Sequence, residues 1–268
     1  MFGVHIRKTG VFDDDANIGI VESAKNASDE WKIIQIMTHG PRTFSRNKFS
    51  YRDLRDVNIR VVVHSTYLSQ IRDDNFGHLF DQLDVCRKIK SYGLVIHMQK
   101  GYDWVVFMHD LINKAVASKT KIILEMASMK PAINTHENTL SLNRIIDMIG
   151  REKYTSQEWG FCIDTAHLWA GGLDISKYAD MRNYLREIDH KFILLFHLNG
   201  SSDDKGSGRD THQIPFSAED KIFKEPYKQS GVYAVVKYAK KYNIPVIFEI
   251  NRGTRESLLH LRQLIGMD

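Results

Sequence analysis

The chain has 268 residues, 43% of them apolar and 26% charged, with five prolines and a formal net charge of +4. This balance excludes an intrinsically disordered or fibrous chain, and the length suits one single-core α/β domain spanning residues 1–268. The positive charge helps approach to a polyanion without naming one; no apolar stretch nears the ~20 residues that span a bilayer, and the start, Met1-Phe2-Gly3-Val4-His5, is no signal peptide. A monomer of the cytoplasm or nucleus, with no membrane partner, is therefore expected. Cys86 and Cys162 each sit in a segment that reads as regular structure, which favours two reduced buried thiols, with a single bridge between them left open.

In chain order, short apolar runs rich in β-branched residues recur at residues 2–6, 33–38, 59–64, 92–98, 121–126, 160–164, 192–198 and 245–250. Each predicts a strand. Apolar residues at three- and four-residue spacing predict helices between them, at 76–90, 104–117, 140–149 and 232–242. Continuous apolar strands alternating with helices predict a parallel sheet covered on both faces, and eight such units are the number that closes a (β/α)8 TIM barrel. A doubly wound open sheet is the alternative, but no Gly-x-Gly-x-x-Gly follows the first strand. Residues 200–219, rich in Ser, Asp and Gly, read as an elaborated loop between two barrel strands.

What ends the strands carries the chemistry. Six runs stop at a metal-competent side chain: His64, His97, Glu125, Asp164, His197 and Glu249. Polar residues at the carboxyl ends of barrel strands point into the mouth, where barrel enzymes keep their active sites. Two further pairs lie nearby: His167, three residues beyond Asp164, and Asp210-Thr211-His212, whose i and i+2 side chains share a side of an extended segment. Taken singly such pairs read as solvated loop; their position after the sixth and seventh strands shifts the balance toward candidate ligands. His5 and His39 end or follow runs in the same way; a hydrogen-bonded core role is favoured over a place in or around the metal site, and neither is assigned as a ligand. Nine imidazole and carboxylate donors suit zinc, and also manganese or iron, and exceed what one tetrahedral ion needs. Without cations, burial of the carboxylates would be costly. Such a cluster activates water and neutralises charge on phosphoryl oxygens, so phosphate-ester hydrolysis is its natural chemistry. Sugar isomerisation by a two-metal barrel is the rival.

Four segments, His64-Ser65-Thr66-Tyr67-Leu68, Cys162-Ile163-Asp164-Thr165-Ala166-His167, Phe196-His197-Leu198-Asn199 and Gly206-Ser207-Gly208-Arg209-Asp210-Thr211-His212, together resemble the endonuclease IV family of apurinic/apyrimidinic endonucleases, above all the compact members of large DNA viruses. The resemblance implies a barrel of the xylose isomerase-like superfamily holding three zinc ions, with manganese an alternative at one position. His64, His97 and Glu125 would hold the first ion; Glu125, Asp164, His197 and Glu249 the second; His167, Asp210 and His212 the third. Glu125 would bridge the first two and act as the catalytic carboxylate, beside which water attacks the phosphorus 5′ to an abasic sugar. The implied partner is double-stranded DNA with abasic sites or blocked 3′ ends, cut to a 3′-hydroxyl and a 5′-deoxyribose phosphate, with 3′-end trimming as a second activity. Tyr67 and Leu68 match the family's DNA-inserting loop and Arg42 its minor-groove arginine. A viral source would add the virion or viral factory to the expected locations.

Three departures from the bacterial pattern bear on the loops. Met126-Ala127-Ser128-Met129 replaces an Asn-Thr and glycine-rich segment, Gly200 stands where an Asp is usual, and Gln213-Ile214-Pro215-Phe216 replaces glycines after Asp-x-His. A lesion binder that leaves DNA uncut is a further rival, which the complete donor set argues against.

Overall fold

The computed structural model describes residues 1–7, 18–72, 76–99, 101–126, 135–150, 153–155, 157–250 and 255–266. All eight predicted runs form strands: β1 (Phe2–His5), β2 (Ile33–Met37), β3 (Arg60–His64), β4 (Leu94–His97), β5 (Ile122–Glu125), β6 (Trp159–Asp164), β7 (Ile193–His197) and β8 (Val246–Phe248). They lie in sequence order and every pairing is parallel. Pairing of β1 with β8, through Phe2 with Val246 and Val4 with Phe248, closes the barrel and removes the open-sheet alternative.

Strand side chains alternate with a period of two, and the two faces form separate apolar clusters. Ile33, Val62, Val95, Ile123, Cys162, Leu195 and Ile247 pack together inside the barrel. Their neighbours Ile34, Val63, Ile96, Leu124, Phe161, Phe196 and Phe248 face the surrounding helices. On β1 the inner position is Gly3, where any Cβ would collide with the Ile33 carbonyl. The register therefore fixes what stands two residues further along each strand, at the mouth.

The outer ring contains α1 (Ile20–Ser28), α2 (Tyr51–Asp56), α3 (Phe76–Ile89), α4 (Met108–Ala117), α5 (Thr135–Ile149), α6 (Thr165–Ala170), α7 (Tyr178–Glu187), α8 (Gly231–Tyr242) and α9 (Arg255–Leu264). In α8, Val232, Val235, Val236 and Ala239 are buried at helical spacing, and Asn243 ends it in the left-handed conformation with φ of 54°. The helix predicted over 104–117 is α only from Met108; Asp103–Phe107 form a 3₁₀ turn. Two β-branched residues and an aromatic, Val105-Val106-Phe107, lose side-chain freedom in an α-turn, which favours the break. Cys86 and Cys162 are buried free thiols. Among the described residues no helix is long and apolar enough to cross a membrane.

Candidate metal centre

Two residues above the inner apolar layer, the strands present His5, Gln35, His64, His97, Glu125, Asp164, His197 and, just past β8, Glu249. The register sets His97 beside Glu125 and Asp164 beside His197. Glu125 is the hub. Its Oε2 lies 3.0 Å from Nε2 of both His64 and His97. Its Oε1 faces the other way, 2.8 Å from His197 Nδ1. That same nitrogen is 3.1 Å from Glu249 Oε2 and 3.6 Å from Asp164 Oδ2.

Asp164 is also the N-cap of α6: its Oδ1 accepts the His167 amide at 3.1 Å. Capping explains the Asp-x-x-His spacing, because a cap aspartate bonds the N–H three residues on and so sets His167 in the first helical turn beside it. Asn199 holds the other Asp164 oxygen at 2.8 Å and receives the Glu249 amide at 2.9 Å, tying β6, β7 and the end of β8 together. From the long loop after β7, Asp210 Oδ1 reaches Nε2 of His167 at 3.2 Å and of His212 at 2.8 Å.

Eight of the nine predicted ligand positions fall into shared groups, and Asp210 joins them through its contacts with His167 and His212. Among the described residues four donor groups are close enough to share an ion: His64, His97 and Glu125; Glu125, Asp164, His197 and Glu249; Asp164, His167 and His212; and Glu125, Cys162 and His197. The last is the poorest, since burial pushes the Cys162 thiol up to about 12. Asp164 Oδ2, 3.7 Å from His212 Nε2, stands between the second and third groups. Donors bound to one tetrahedral zinc at ~2.0–2.1 Å lie about 3.3 Å apart, close to the separations seen here. His212 Nε2 adds a second sign: it is buried and makes no hydrogen bond, although an Asp210 oxygen is 2.8 Å away. A lone pair aimed at a cation has that geometry.

The surrounding carboxylates call for positive charge at the same place, whether it is carried by an imidazolium or by a cation. Burial opposes charge on Glu125, yet His197 and His97 hold its carboxyl well below the usual range. Burial likewise opposes charge on His212, but Asp164 and Asp210 outweigh it and raise the imidazole to about 9. His5 is different: burial lowers it to about 4, more than the nearby Glu249 can offset. It stays neutral and accepts a hydrogen bond from Gln35 Nε2 at 3.1 Å.

Tyr67 and Leu68 stand on the rim, 49% and 44% exposed. The exposed Arg42 shares a cavity of about 630 Å³ with Tyr67, His5 and Met37. The rim segments are joined, since Pro41 O accepts both the Tyr67 amide and the Thr66 hydroxyl at 2.9 Å. Behind Arg42 the chain folds back through a bridge of His39 with Arg46, and Asp81 of α3 holds His39 Nε2 at 2.9 Å and Arg46 Nε at 2.7 Å.

Sequence reading missed Gln35, Asp81 and Asp220. Asp220 explains the departure at Gly200, and a backbone bridge the one at Gln213. Gly200 leaves the space its carboxylate fills, where a Cβ would come within 2.6 Å of Asp220 Cγ. Gln213 pairs with Gly200 in a two-way backbone bridge that seats His212. The departure at Ala127-Ser128-Met129 lies outside the described residues.

A closed parallel barrel with imidazoles and carboxylates at the carboxyl ends of its strands defines a TIM barrel whose candidate metal site lies where barrel enzymes keep their active sites. A xylose isomerase domain protein from Planctomyces limnophilus superposes with a TM-score of 0.64 over 99% of this chain and 96% of its own, at 14% identity. No protein-family model matches the chain. An African swine fever virus protein named "Probable AP endonuclease" is 30% identical over 213 residues, covering 75% of this chain and 71% of its own length. The solved structure described as "AsfvAP:AG" matches over 99% of both chains with a TM-score of 0.77 and 26% identity. The chain belongs to the AP endonuclease family.

Proposed function

We propose that the protein hydrolyses the phosphodiester 5′ to abasic sites in duplex DNA with three zinc ions, leaving a 3′-hydroxyl and a 5′-deoxyribose phosphate, and that it also trims blocked 3′ ends. Family membership supports the coarser reading, a DNA-repair nuclease directed at abasic sites. The observation that carries the finer one is Glu125, whose two oxygens face separate imidazole sets 3.0 Å and 2.8 Å away, as a bridging carboxylate would. On this reading residues 1–268 are one catalytic domain acting as a monomer. His64, His97 and Glu125 hold the first ion, Glu125, Asp164, His197 and Glu249 the second, and His167, Asp210 and His212 the third, with manganese an alternative at one position.

Bound zinc supplies a Lewis acid for phosphoryl oxygens and makes water a nucleophile near neutral pH. The chain's own residues do the rest. Glu125, fully buried, fixes the spacing of the first two groups and marks where the attacking water is held. Asp210, whose side chain is 42% exposed, brings the third group to the solvent edge of the mouth, where a phosphate would arrive. Tyr67 and Leu68 fill the gap in the duplex and Arg42 enters the minor groove beside it. An abasic nucleotide has no base to unstack, so its extrusion costs little, and that selects the lesion without reading sequence.

The test is incision of a duplex carrying one tetrahydrofuran abasic analogue, which cannot undergo β-elimination. A 3′-hydroxyl product that disappears on chelation and returns with zinc is expected. No incision by protein confirmed to hold its metals would overturn the reading and direct attention to sugar isomerisation. A second expectation concerns the rim. Asp81→Ala should loosen the Arg42 segment and raise KM for the abasic duplex roughly tenfold, since re-ordering one or two side chains on binding costs about 0.5–1.5 kcal/mol each. Zinc content and kcat should hold; a KM within twofold of the parent would refute this role.

A further inference from the structure

This inference rests on the proposed metal centre and concerns Gln35, in the middle of β2. Three of the candidate imidazoles are set by the backbone: His64, His167 and His212 place Nδ1 against the carbonyls of Ser65, Met126 and Glu249 at 2.7, 2.5 and 2.7 Å. Each thereby turns Nε2 toward the carboxylates. His197 is reversed. Its Nδ1 meets Glu125, while its Nε2 lies 2.8 Å from Gln35 Oε1, a side-chain partner.

Gln35 is fully buried, and its Nε2 lies 3.0 Å from Glu249 Oε1 and 3.1 Å from His5 Nδ1. Which end of the amide is nitrogen follows from chemistry, since an ionised carboxylate only accepts hydrogen bonds and must face the NH2. The oxygen then faces His197, whose Nε2 has to carry the proton. Nδ1 is left with a lone pair directed at Glu125, Asp164 and Glu249. One side chain thus sets the tautomer of one candidate ligand and the rotamer of another.

We propose that Gln35 is the positioning residue of the second ion site, making His197 an Nδ1 ligand and holding Glu249 against it. Partners of metal-bound histidines that fix the ring in this way are worth 10–100-fold in metal affinity. With leucine at position 35, His197 Nε2–H and Glu249 both lose their partner, and the imidazole is free to turn over.

Zinc per chain and zinc affinity, by competition with a chromophoric chelator, are to be measured on the parent protein and Gln35→Leu, with circular dichroism to check folding. Expected is a parent holding three ions and a variant in which one of them binds 10–100-fold more weakly, the other two unchanged. Equal affinities in a folded variant would overturn the role of Gln35 and leave the metal centre standing. A parent that takes up no zinc would sink the metal centre and this inference together. Nitrogen-15 spectra of histidine-labelled, zinc-loaded parent protein give a readout that needs no variant. One histidine coordinated through Nδ1 with a protonated Nε2 is expected, whereas coordination through Nε2 throughout would overturn the proposal.

Discussion

Glu125→Gln is expected to lower the incision rate on the order of a thousandfold or more, with loss of bound zinc. Glutamine has the same shape but only one oxygen, so it must offer an amide NH2 either to the His64 and His97 nitrogens or to His197 Nδ1, at contacts now 3.0 Å and 2.8 Å long. One of the two faces is then closed to a cation. An ion contributes several kcal/mol of stabilisation to a developing phosphoryl charge, and about 1.4 kcal/mol is a factor of ten in rate. Incision assays beside elemental analysis check both halves. A variant within tenfold of the parent would show that the two faces of Glu125 do not serve a shared centre.

The largest effect on stability is expected from Asp220→Ala. The Asp220 carboxylate, 0% exposed, accepts four backbone amides: Ser201 and Ile222 on Oδ1 at 3.2 and 2.9 Å, Phe216 and Phe223 on Oδ2 at 2.9 and 3.3 Å. Each bond is worth about 1 kcal/mol, and a donor left buried without a partner costs somewhat more. A loss of about 4 kcal/mol follows, or roughly 10 °C in Tm for a chain of this size. Asp220→Asn keeps one oxygen and hence two of the four bonds, so its melting point should fall about halfway between. Because the knot closes the loop carrying Asp210 and His212, zinc content should fall in the same order. Equal melting points for all three proteins would remove the knot from the account.

Much of this was legible in the sequence because the barrel obeys a strict alternation. A parallel strand buried on both faces reads as an apolar run, and the residue that ends it is the first polar group at the mouth; His64, His97, Glu125, Asp164, His197 and Glu249 announce themselves that way. The closing pairing of β1 with β8 needed only the count of strands. Gln35 was hidden by the same rule, since it interrupts a run between Ile34 and Ile36 and looked like noise rather than the second strand's contribution to the polar layer. Asp220 and Asp81 were invisible for another reason: their partners are backbone amides and a rim histidine brought near by the fold, and no spacing encodes them. The six-residue helices α2 and α6 are too short for helical periodicity to register. At Gly200 the sequence showed a missing carboxylate, and only the fold shows another, twenty residues on, in its place.

With the DNA-inserting role proposed for Tyr67, Leu68 and Arg42, the shared acceptor at Pro41 has a consequence for how a lesion would be found. Its two hydrogen bonds, with the Asp81 clasp behind them, make the segments bearing Arg42, Tyr67 and Leu68 a single preorganised wedge. Little conformational entropy is left for the protein to lose on binding, so the nucleic acid has to do the adapting. Stiff, fully stacked duplex resists a rigid wedge, whereas a position without a base gives way cheaply. On that proposed role, discrimination would begin as a measurement of local DNA compliance, made at the rim before the sugar reaches the barrel.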